Sequence, residues 1–219
     1  MMSKAAEKSA ARGLLKSLLN AARAEDLASQ SAAICDRVAQ LPVHREAAVV
    51  AGYLTCAKLN EVDTAPLISA LLTQQKRLYV PVVADRDSNM HMLHLDSLAC
   101  VHSVPPFGIQ EPRATYDDGA PRAALLQAGN ADLPQVVLMP GLGFDRLGGR
   151  LGRGGGYYDA FIARLMEHAA LRGVPRPSLV GLCFREQLQE RVPTDAHDQR
   201  VDWLVTPDEV IDCRAPALA

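Results

Sequence analysis

The sequence lacks the features that mark several classes of protein. Its five cysteines form no CxxC pair, so we expect neither a zinc site nor a disulfide framework. No apolar run reaches the roughly 20 residues that a membrane helix needs. A formal net charge of -2 gives no overall attraction to nucleic acid or to an anionic membrane. These absences favour a reduced, intracellular protein that acts on small molecules.

Internal repeats and low-complexity linkers are absent as well. A chain of 219 residues, 48% of them hydrophobic, can bury an ample core, and we expect one domain and a monomer. The first residues are rich in Ala, Ser, Lys and Arg, which is typical of organelle transit peptides, but Glu7 argues against that interpretation. We therefore expect a cytoplasmic protein.

Helical and strand patterns alternate along the chain. Apolar spacing of three and four predicts helices over 4–24, 25–40, 63–75 and 157–171, and a shorter one over 120–127. Short apolar runs predict strands over 47–54, 76–83, 90–95, 135–140, 178–184 and 201–206, the second and third forming a hairpin. Residues 104–112 are expected to be a loop because prolines and a glycine interrupt them. This alternation predicts an α/β fold, a three-layer α/β/α sandwich with a mostly parallel sheet.

A glycine-rich stretch follows the strand predicted over 135–140. The segment MPGLGFDRLGGRLGRGGGYYDAF contains eight glycines, three arginines and two aspartates, but neither the P-loop nor the dinucleotide-binding spacing. Four glycines just before a helix let backbone amides approach a ligand, and the arginines (Arg146, Arg150 and Arg153) add cations that match phosphate oxygens. Ligands of parallel sheets bind beyond the carboxyl ends of the strands, which is where this stretch lies. We therefore expect the stretch to bind a phosphate-bearing ligand. A basic surface loop is the alternative.

The same stretch, LMPGLGFDRLGGRLGRGGGYYDAF, resembles the signature of the 5-formyltetrahydrofolate cyclo-ligases, also called 5,10-methenyltetrahydrofolate synthetases. Their pattern runs P-G-L-x-F-D-x-x-G-x-R-L-G-x-G-x-G-Y-Y-D. Further similarity lies in a basic pair near the start (Lys8 and Arg12) and in the motifs NEVDT, FGIQEP and VPTDAHDQRVDWLVTP. The resemblance therefore covers nearly the whole chain.

The resemblance implies a sheet architecture shared with sugar-phosphate isomerases and coenzyme A transferases. It also implies ATP- and Mg²⁺-dependent closure of 5-formyltetrahydrofolate to 5,10-methenyltetrahydrofolate, with release of ADP and phosphate. The formyl oxygen is a poor leaving group, so ATP first phosphorylates it to an iminium phosphate, and N10 then displaces phosphate. A protein for this reaction must align two ligands and neutralise charge in the transferring group.

Roles for individual residues follow from the resemblance. Glu61 and Arg153 are the expected catalytic residues, and Asp159 and Asp198 the expected Mg²⁺ ligands. The expected nucleotide contacts are Lys8, Arg12, Arg150, Leu151, Gly152, Gly154, Gly155, Gly156, Tyr157 and Tyr158. The expected folate contacts are Arg12, Leu54, Glu61, Phe107, Arg153, Gly154, Gly155, Gly156 and Tyr157.

The residues alone leave several alternatives open. Lys8 and Arg12 lie four apart, as on any solvated helix face, and Glu61 has the position of a residue that caps the following helix. Asp159 is also an ordinary first-turn charge, and Asp145 is either a metal ligand or a turn former. The spacing of Tyr53 and Glu61 indicates a two-residue insertion relative to the family, which affects the contacts of Leu54.

Two other function classes remain open at this point. A binding or regulatory module without turnover would dispense with the acidic residue or the phosphate-binding arginines, and neither is missing. A sugar-phosphate isomerase or acyl-group transferase of related architecture would not need the basic pair at the N-terminus.

Overall fold

The computed structural model describes residues 3–85, 89–105 and 108–214. Its α-helices are α1 (Lys4–Ala21), α2 (Ala24–Gln40), α3 (Pro42–Glu46), α4 (Ala65–Thr73) and α5 (Tyr157–Leu171). Its strands are β1 (Val49–Ala51), β2 (Arg77–Val83), β3 (Met90–Leu95), β4 (Val101–Val104), β5 (Ile109–Pro112), β6 (Val136–Met139), β7 (Gly143–Asp145), β8 (Arg150–Leu151), β9 (Ser178–Leu182), β10 (Leu188–Gln189), β11 (Trp203–Val205) and β12 (Val210–Asp212). None of the helices within these ranges is long and apolar enough to cross a lipid bilayer.

A seven-stranded sheet with the order β12-β11-β9-β6-β1-β2-β3 forms the centre of the molecule. The five inner strands are parallel to one another, whereas β3 and β12 pair antiparallel at the two edges. Parallel strands that are buried on both faces have continuous apolar sequences. The fully buried VVLM of β6 is an example. The predicted mostly parallel α/β sheet is confirmed.

Helices cover both faces of this sheet. Alternate residues of β1 face opposite sides: Val50 packs with the apolar face of α1, α2 and α4, and Val49 packs with α5. Leu15, Ile34 and Ile68 fill the first layer and Phe161 and Ile162 the second, all at most 1% exposed. The result is the predicted three-layer α/β/α sandwich.

Two of the predicted elements are wrong. Residues 104–112 are not a loop throughout, because β5 pairs antiparallel with β4 from Val101↔Pro112 to Val104↔Ile109. Pro112 lies at the end of its strand, where a proline is tolerated. Residues 120–127 form no helix; the segment runs beside β3, where Leu125 N donates to Met92 O and Leu126 has a φ of +64°. Pairing with the sheet edge outweighs the local helical pattern.

The glycine-rich stretch carries short strands of its own. β7 pairs with β8 and β10 in a three-stranded sheet that lies against α1, so close that a Cβ on Gly143 would come within 2.5 Å of Leu15. Asp145 closes the turn between β7 and β8, since its carboxylate accepts from Leu147 N and Gly149 N, and also from Val192 N. Asp145 is therefore a turn former with its oxygens in use.

His44 is a buried, unpartnered group that makes the stability of the fold sensitive to pH. Neither ring nitrogen has a hydrogen-bond partner among the described residues, and the side chain is buried. Burial, followed by the charge of Lys76, lowers the pKa of His44 to about 4, so the ring is neutral in the folded state. In the unfolded chain the His44 ring is protonated below its ordinary pKa of 6.5, whereas in the folded state it is protonated only near pH 4.

We expect the free energy of unfolding to fall as the pH drops from 6.5 towards 4, because the unfolded state then binds more protons. The loss from this one group is on the order of 3 kcal/mol. Urea denaturation of the wild type and His44→Phe at a series of pH values measures it. The variant should lose less stability between those pH values. Equal slopes for the two proteins would contradict the assignment.

Candidate active site at the carboxyl edge of the sheet

A cavity of about 450 Å³ opens where β1 and β6 end, at the carboxyl edge of the parallel strands. A volume of this order is typical of sites for small molecules. The residues that line it come from α1, from the segments after β1 and β6, from β2, β3 and β5, and from the glycine-rich stretch: Lys16, Tyr53, Leu54, Cys56, Leu59, Glu61, Pro81, Val83, Met90, Ile109, Pro140, Gly141, Arg150, Gly152, Arg153, Gly155, Gly156, Tyr157, Tyr158 and Asp159.

One part of the wall is apolar. Tyr53 and Leu54 come from the segment just after β1, Pro81 and Val83 from β2, and Ile109 from β5. Leu54 lines the cavity, and the 3₁₀ turn Ala57–Leu59 follows it in the chain. These side chains form a wall against which a flat ring system can pack.

Glu61 presents a carboxylate to this cavity from the loop that follows the 3₁₀ turn. Its Oε2 accepts a hydrogen bond of 3.0 Å from Cys56 N, and its Oε1 lies 3.9 Å from Arg153 Nε. Burial raises the pKa of Glu61, and the Cys56 amide and Arg153 offset only part of that rise. The helix-capping alternative is ruled out, because Thr64 occupies the N-cap position of α4.

Arg153 joins the glycine-rich stretch to the loop that carries Glu61. Its Nη2 donates to the carbonyl of Leu59, and its Nε faces Glu61. Burial lowers the pKa of Arg153, with Glu61 opposing that change, and the guanidinium remains a cation in any accessible pH range. The predicted catalytic pair therefore meets in one wall of the cavity.

Arg150 and Asp159 form a partly buried ion pair on the neighbouring wall. Arg150 Nη2 donates to Asp159 Oδ1 at 2.7 Å, and Gln199 N donates to the same oxygen at 2.9 Å. Arg150 Nε and the Tyr158 hydroxyl are buried donors without a partner among the described residues. Unpaired buried donors are rare in folded proteins, and here they border a cavity that could hold an acceptor.

The glycines between Arg150 and α5 form an exposed loop with special backbone geometry. Gly154 has a φ of +109° and Gly156, which caps α5, a φ of +69°. A Cβ on Gly155 would lie 2.5 Å from the Tyr157 ring, so that position admits no side chain without movement of the ring. Since the loop leads directly into the N-terminus of α5, its amides and the helix dipole favour an anion.

The basic pair of α1 lies beside this loop. Arg12 Nε donates to Gly152 O at 2.9 Å, whereas Lys8 is buried between Asp195 at 2.6 Å and Asp198 at 2.5 Å. Burial opposes the charge of Lys8, but its hydrogen bonds to the two aspartates are stronger in sum and raise its pKa. Neither residue is simply part of a solvated helix face.

Asp159 and Asp198 are compatible with the magnesium role expected of them. Gln199, whose amide donates to Asp159 Oδ1, directly follows Asp198 in the chain, so the backbone beside Asp198 passes the Asp159 carboxylate. Asp159 Oδ2 makes no hydrogen bond within the described residues, and Asp198 Oδ1 lies 3.8 Å from His197, beyond hydrogen-bonding distance. The described ranges hold no group of three acidic, His or Cys side chains that could bind a metal ion by themselves.

Not every expected residue reaches the cavity. Its lining does not include Lys8, Arg12, Gly154 or Asp198. Leu151 lies in the core at 2% exposure, and Arg146 pairs with Glu209 at the surface. Phe107 lies outside the described residues. The sequence reasoning missed Lys16, although its position four residues after Arg12 places it on the same helix face, and it missed the Leu59 carbonyl, for which no sequence signal exists.

A glycine-lined, basic cavity at the carboxyl edge of a parallel sheet is typical of enzymes that bind phosphate-bearing ligands. A profile of the 5-formyltetrahydrofolate cyclo-ligase family matches residues 4–207. The mouse 5-formyltetrahydrofolate cyclo-ligase is 32% identical over 91% of this chain and 95% of its own length. The mitochondrial one of Arabidopsis thaliana is 38% identical over 83% of this chain and 67% of its own. The chain therefore belongs to the 5-formyltetrahydrofolate cyclo-ligase family.

Solved structures agree with this assignment. The structure of Aquifex aeolicus 5,10-methenyltetrahydrofolate synthetase matches with a TM-score of 0.69 and 31% identity, covering 97% of this chain and 95% of that one. A 5,10-methenyltetrahydrofolate synthetase from Mycoplasma pneumoniae shares the fold at a TM-score of 0.63. The family resemblance of the glycine-rich stretch thus extends over the whole three-layer fold.

Proposed function

We propose that this protein closes 5-formyltetrahydrofolate to 5,10-methenyltetrahydrofolate at the expense of ATP, releasing ADP and phosphate. The observation that carries the proposal is the placement of the Glu61–Arg153 pair and the Arg150–glycine loop on adjoining walls of one cavity. One wall suits a folate and the other suits phosphate groups, and the reaction needs the two ligands in contact.

The apolar wall of Tyr53, Leu54, Pro81, Val83 and Ile109 is where the folate ring packs. Glu61 then lies beside the reacting end of the folate. Its carboxylate holds the substrate by hydrogen bonding and takes up the proton that N10 releases when it attacks the formyl carbon. Burial raises the pKa of Glu61, which makes this carboxylate a stronger proton acceptor than an exposed one.

The nucleotide phosphates bind against Arg150, Arg12 and the amides of Gly152, Gly154, Gly155 and Gly156. ATP supplies the group that turns the formyl oxygen into a leaving group. Arg153, placed between the two walls, neutralises charge on the oxygens shared by both ligands. Asp159 and Asp198 would hold Mg²⁺, a hard cation that screens phosphate charge, while Lys8 keeps Asp198 in place.

The test is turnover by the purified protein. With 5-formyltetrahydrofolate, ATP and Mg²⁺, the absorbance of the methenyl product should rise, and it should not rise when ATP or Mg²⁺ is left out. No ATP-dependent rise, in a preparation whose fold is verified by circular dichroism, would refute the proposal.

We further propose a single-domain monomer that works in the cytoplasm. The name of the Arabidopsis relative includes a mitochondrial location, so this part of the proposal needs its own test. Imaging of the full chain with a C-terminal fluorescent tag should show diffuse cytoplasmic signal, and signal confined to an organelle would contradict it.

A further inference from the structure

Lys16 is a cation of the cavity that the sequence motifs do not contain. It belongs to α1 and continues the row of Lys8 and Arg12 at intervals of four residues, so the three lie along one face of the helix. Of these three, Lys16 is the one that lines the cavity. Its side chain is exposed, which places it at the rim.

The other cations around the cavity are already bound to protein groups. Arg150 pairs with Asp159, Arg153 with Glu61 and the Leu59 carbonyl, and Arg12 with the Gly152 carbonyl. The Lys16 ammonium makes no hydrogen bond or ion pair within residues 3–85, 89–105 and 108–214. It is thus a cation at the cavity rim that is available to an anionic part of a ligand.

The position of Lys16 along α1 limits which part of a bound ligand it can meet. Arg12 contacts the glycine loop, and Asn20 accepts a hydrogen bond of 2.9 Å from Asn60, next to Glu61. Lys16 lies between these contacts, about 6 Å along the helix from each. It therefore lies between the glycine loop and the loop that carries Glu61, about 12 Å along the helix from Lys8.

The chemistry of the folate then assigns a partner. Its ring system packs in the buried apolar part of the cavity, and its glutamate, which carries two carboxylates, extends towards solvent. We propose that Lys16 binds a carboxylate of that glutamate and so helps to select glutamate-bearing folates. This inference rests on the proposed function, since it assumes a folate in the cavity.

The expected effect is on folate affinity alone. Replacing Lys16 by Gln should raise the KM for 5-formyltetrahydrofolate about five- to tenfold, the range expected for a partly exposed, charge-assisted hydrogen bond. The kcat and the KM for ATP should stay unchanged. Lys4→Gln, the same charge change on an exposed residue of the same helix, serves as the matched control and should leave all three constants as they are.

A substrate with both glutamate carboxylates blocked as methyl esters isolates the contact. Wild-type protein should show a raised KM for the diester, and Lys16→Gln should raise it no further. If Lys16→Gln raises the KM for ATP instead, Lys16 binds phosphate and the inference is wrong. An equal effect of Lys16→Gln on the acid and on the diester would also overturn it.

Calorimetric binding separates this inference from the proposed activity. If the wild type binds 5-formyltetrahydrofolate but does not turn it over, the proposed function fails, and a five- to tenfold weaker Kd for Lys16→Gln would still support the carboxylate contact. If the wild type does not bind the folate at all, both are refuted.

Discussion

Glu61→Gln should lower kcat at least about 100-fold while leaving the fold intact, because a neutral amide cannot accept the proton that ring closure releases. Glutamine keeps the size of the side chain, and its amide oxygen can still accept from Cys56 N, as the carboxylate does at 3.0 Å. We therefore expect the local structure to be kept and proton transfer to residue 61 to be lost. Steady-state kinetics with a thermal melt on the same sample measures both.

The pH profile gives this prediction a second readout. Burial raises the pKa of Glu61, so the wild-type kcat should fall on the acid side through a pKa above the ordinary range of a glutamate, and Glu61→Gln should lack that limb. Glu46→Gln, the same change at an exposed residue of α3, is the control and should keep full activity. Unchanged kcat in Glu61→Gln would remove this residue from the mechanism.

Arg150→Ala should weaken the binding of ATP far more than the binding of the folate. Arg150 is 4% exposed and its Nη2 donates to Asp159 beside the glycine loop, so its removal takes a fixed cation out of the phosphate wall. Losing a charge-assisted contact of about 2 to 3 kcal/mol corresponds to a KM for ATP raised about 30- to 150-fold. The KM for the folate should change less than threefold, which initial-rate kinetics with each substrate varied in turn determines.

Two further variants test whether the effect of Arg150→Ala comes from its charge, from the shape of its guanidinium, or from any loss of an arginine in this stretch. Arg150→Lys keeps the charge without the fork and should fall between wild type and Arg150→Ala. Arg146→Ala, in the same stretch but paired with Glu209 at the surface, should leave both KM values unchanged. A raised folate KM with an unaltered ATP KM in Arg150→Ala would reverse the assignment of the two walls.

Patterns of short range in the sequence predicted much of the fold. The helix over 157–171 coincides with α5, since its apolar spacing and the preceding glycines are local signals. The hairpin of β2 and β3 is confirmed for the same reason. The β4–β5 hairpin was missed because its pairing depends on a partner strand, which composition does not reveal. The same holds for Leu125, whose backbone binds the edge of β3.

The site was predictable in its residue types and not in their connections. Composition indicated a phosphate ligand at Arg150 and Arg153, and the family pattern added Glu61. No local signal shows that Arg153 donates to the Leu59 carbonyl, because that contact depends on a 3₁₀ turn and on the left-handed backbone of Asn60. Likewise, the choice between ligand and turn former for Asp145 required the three amides that it accepts.

The most direct test of the central claim, that one cavity couples phosphate transfer to ring closure, follows an oxygen atom. 5-Formyltetrahydrofolate labelled with oxygen-18 in the formyl group is converted with ATP and Mg²⁺, and the inorganic phosphate is analysed by mass spectrometry. Transfer of the phosphoryl group to the formyl oxygen predicts that the label leaves in phosphate. Label found in water, with none in phosphate, would contradict the account.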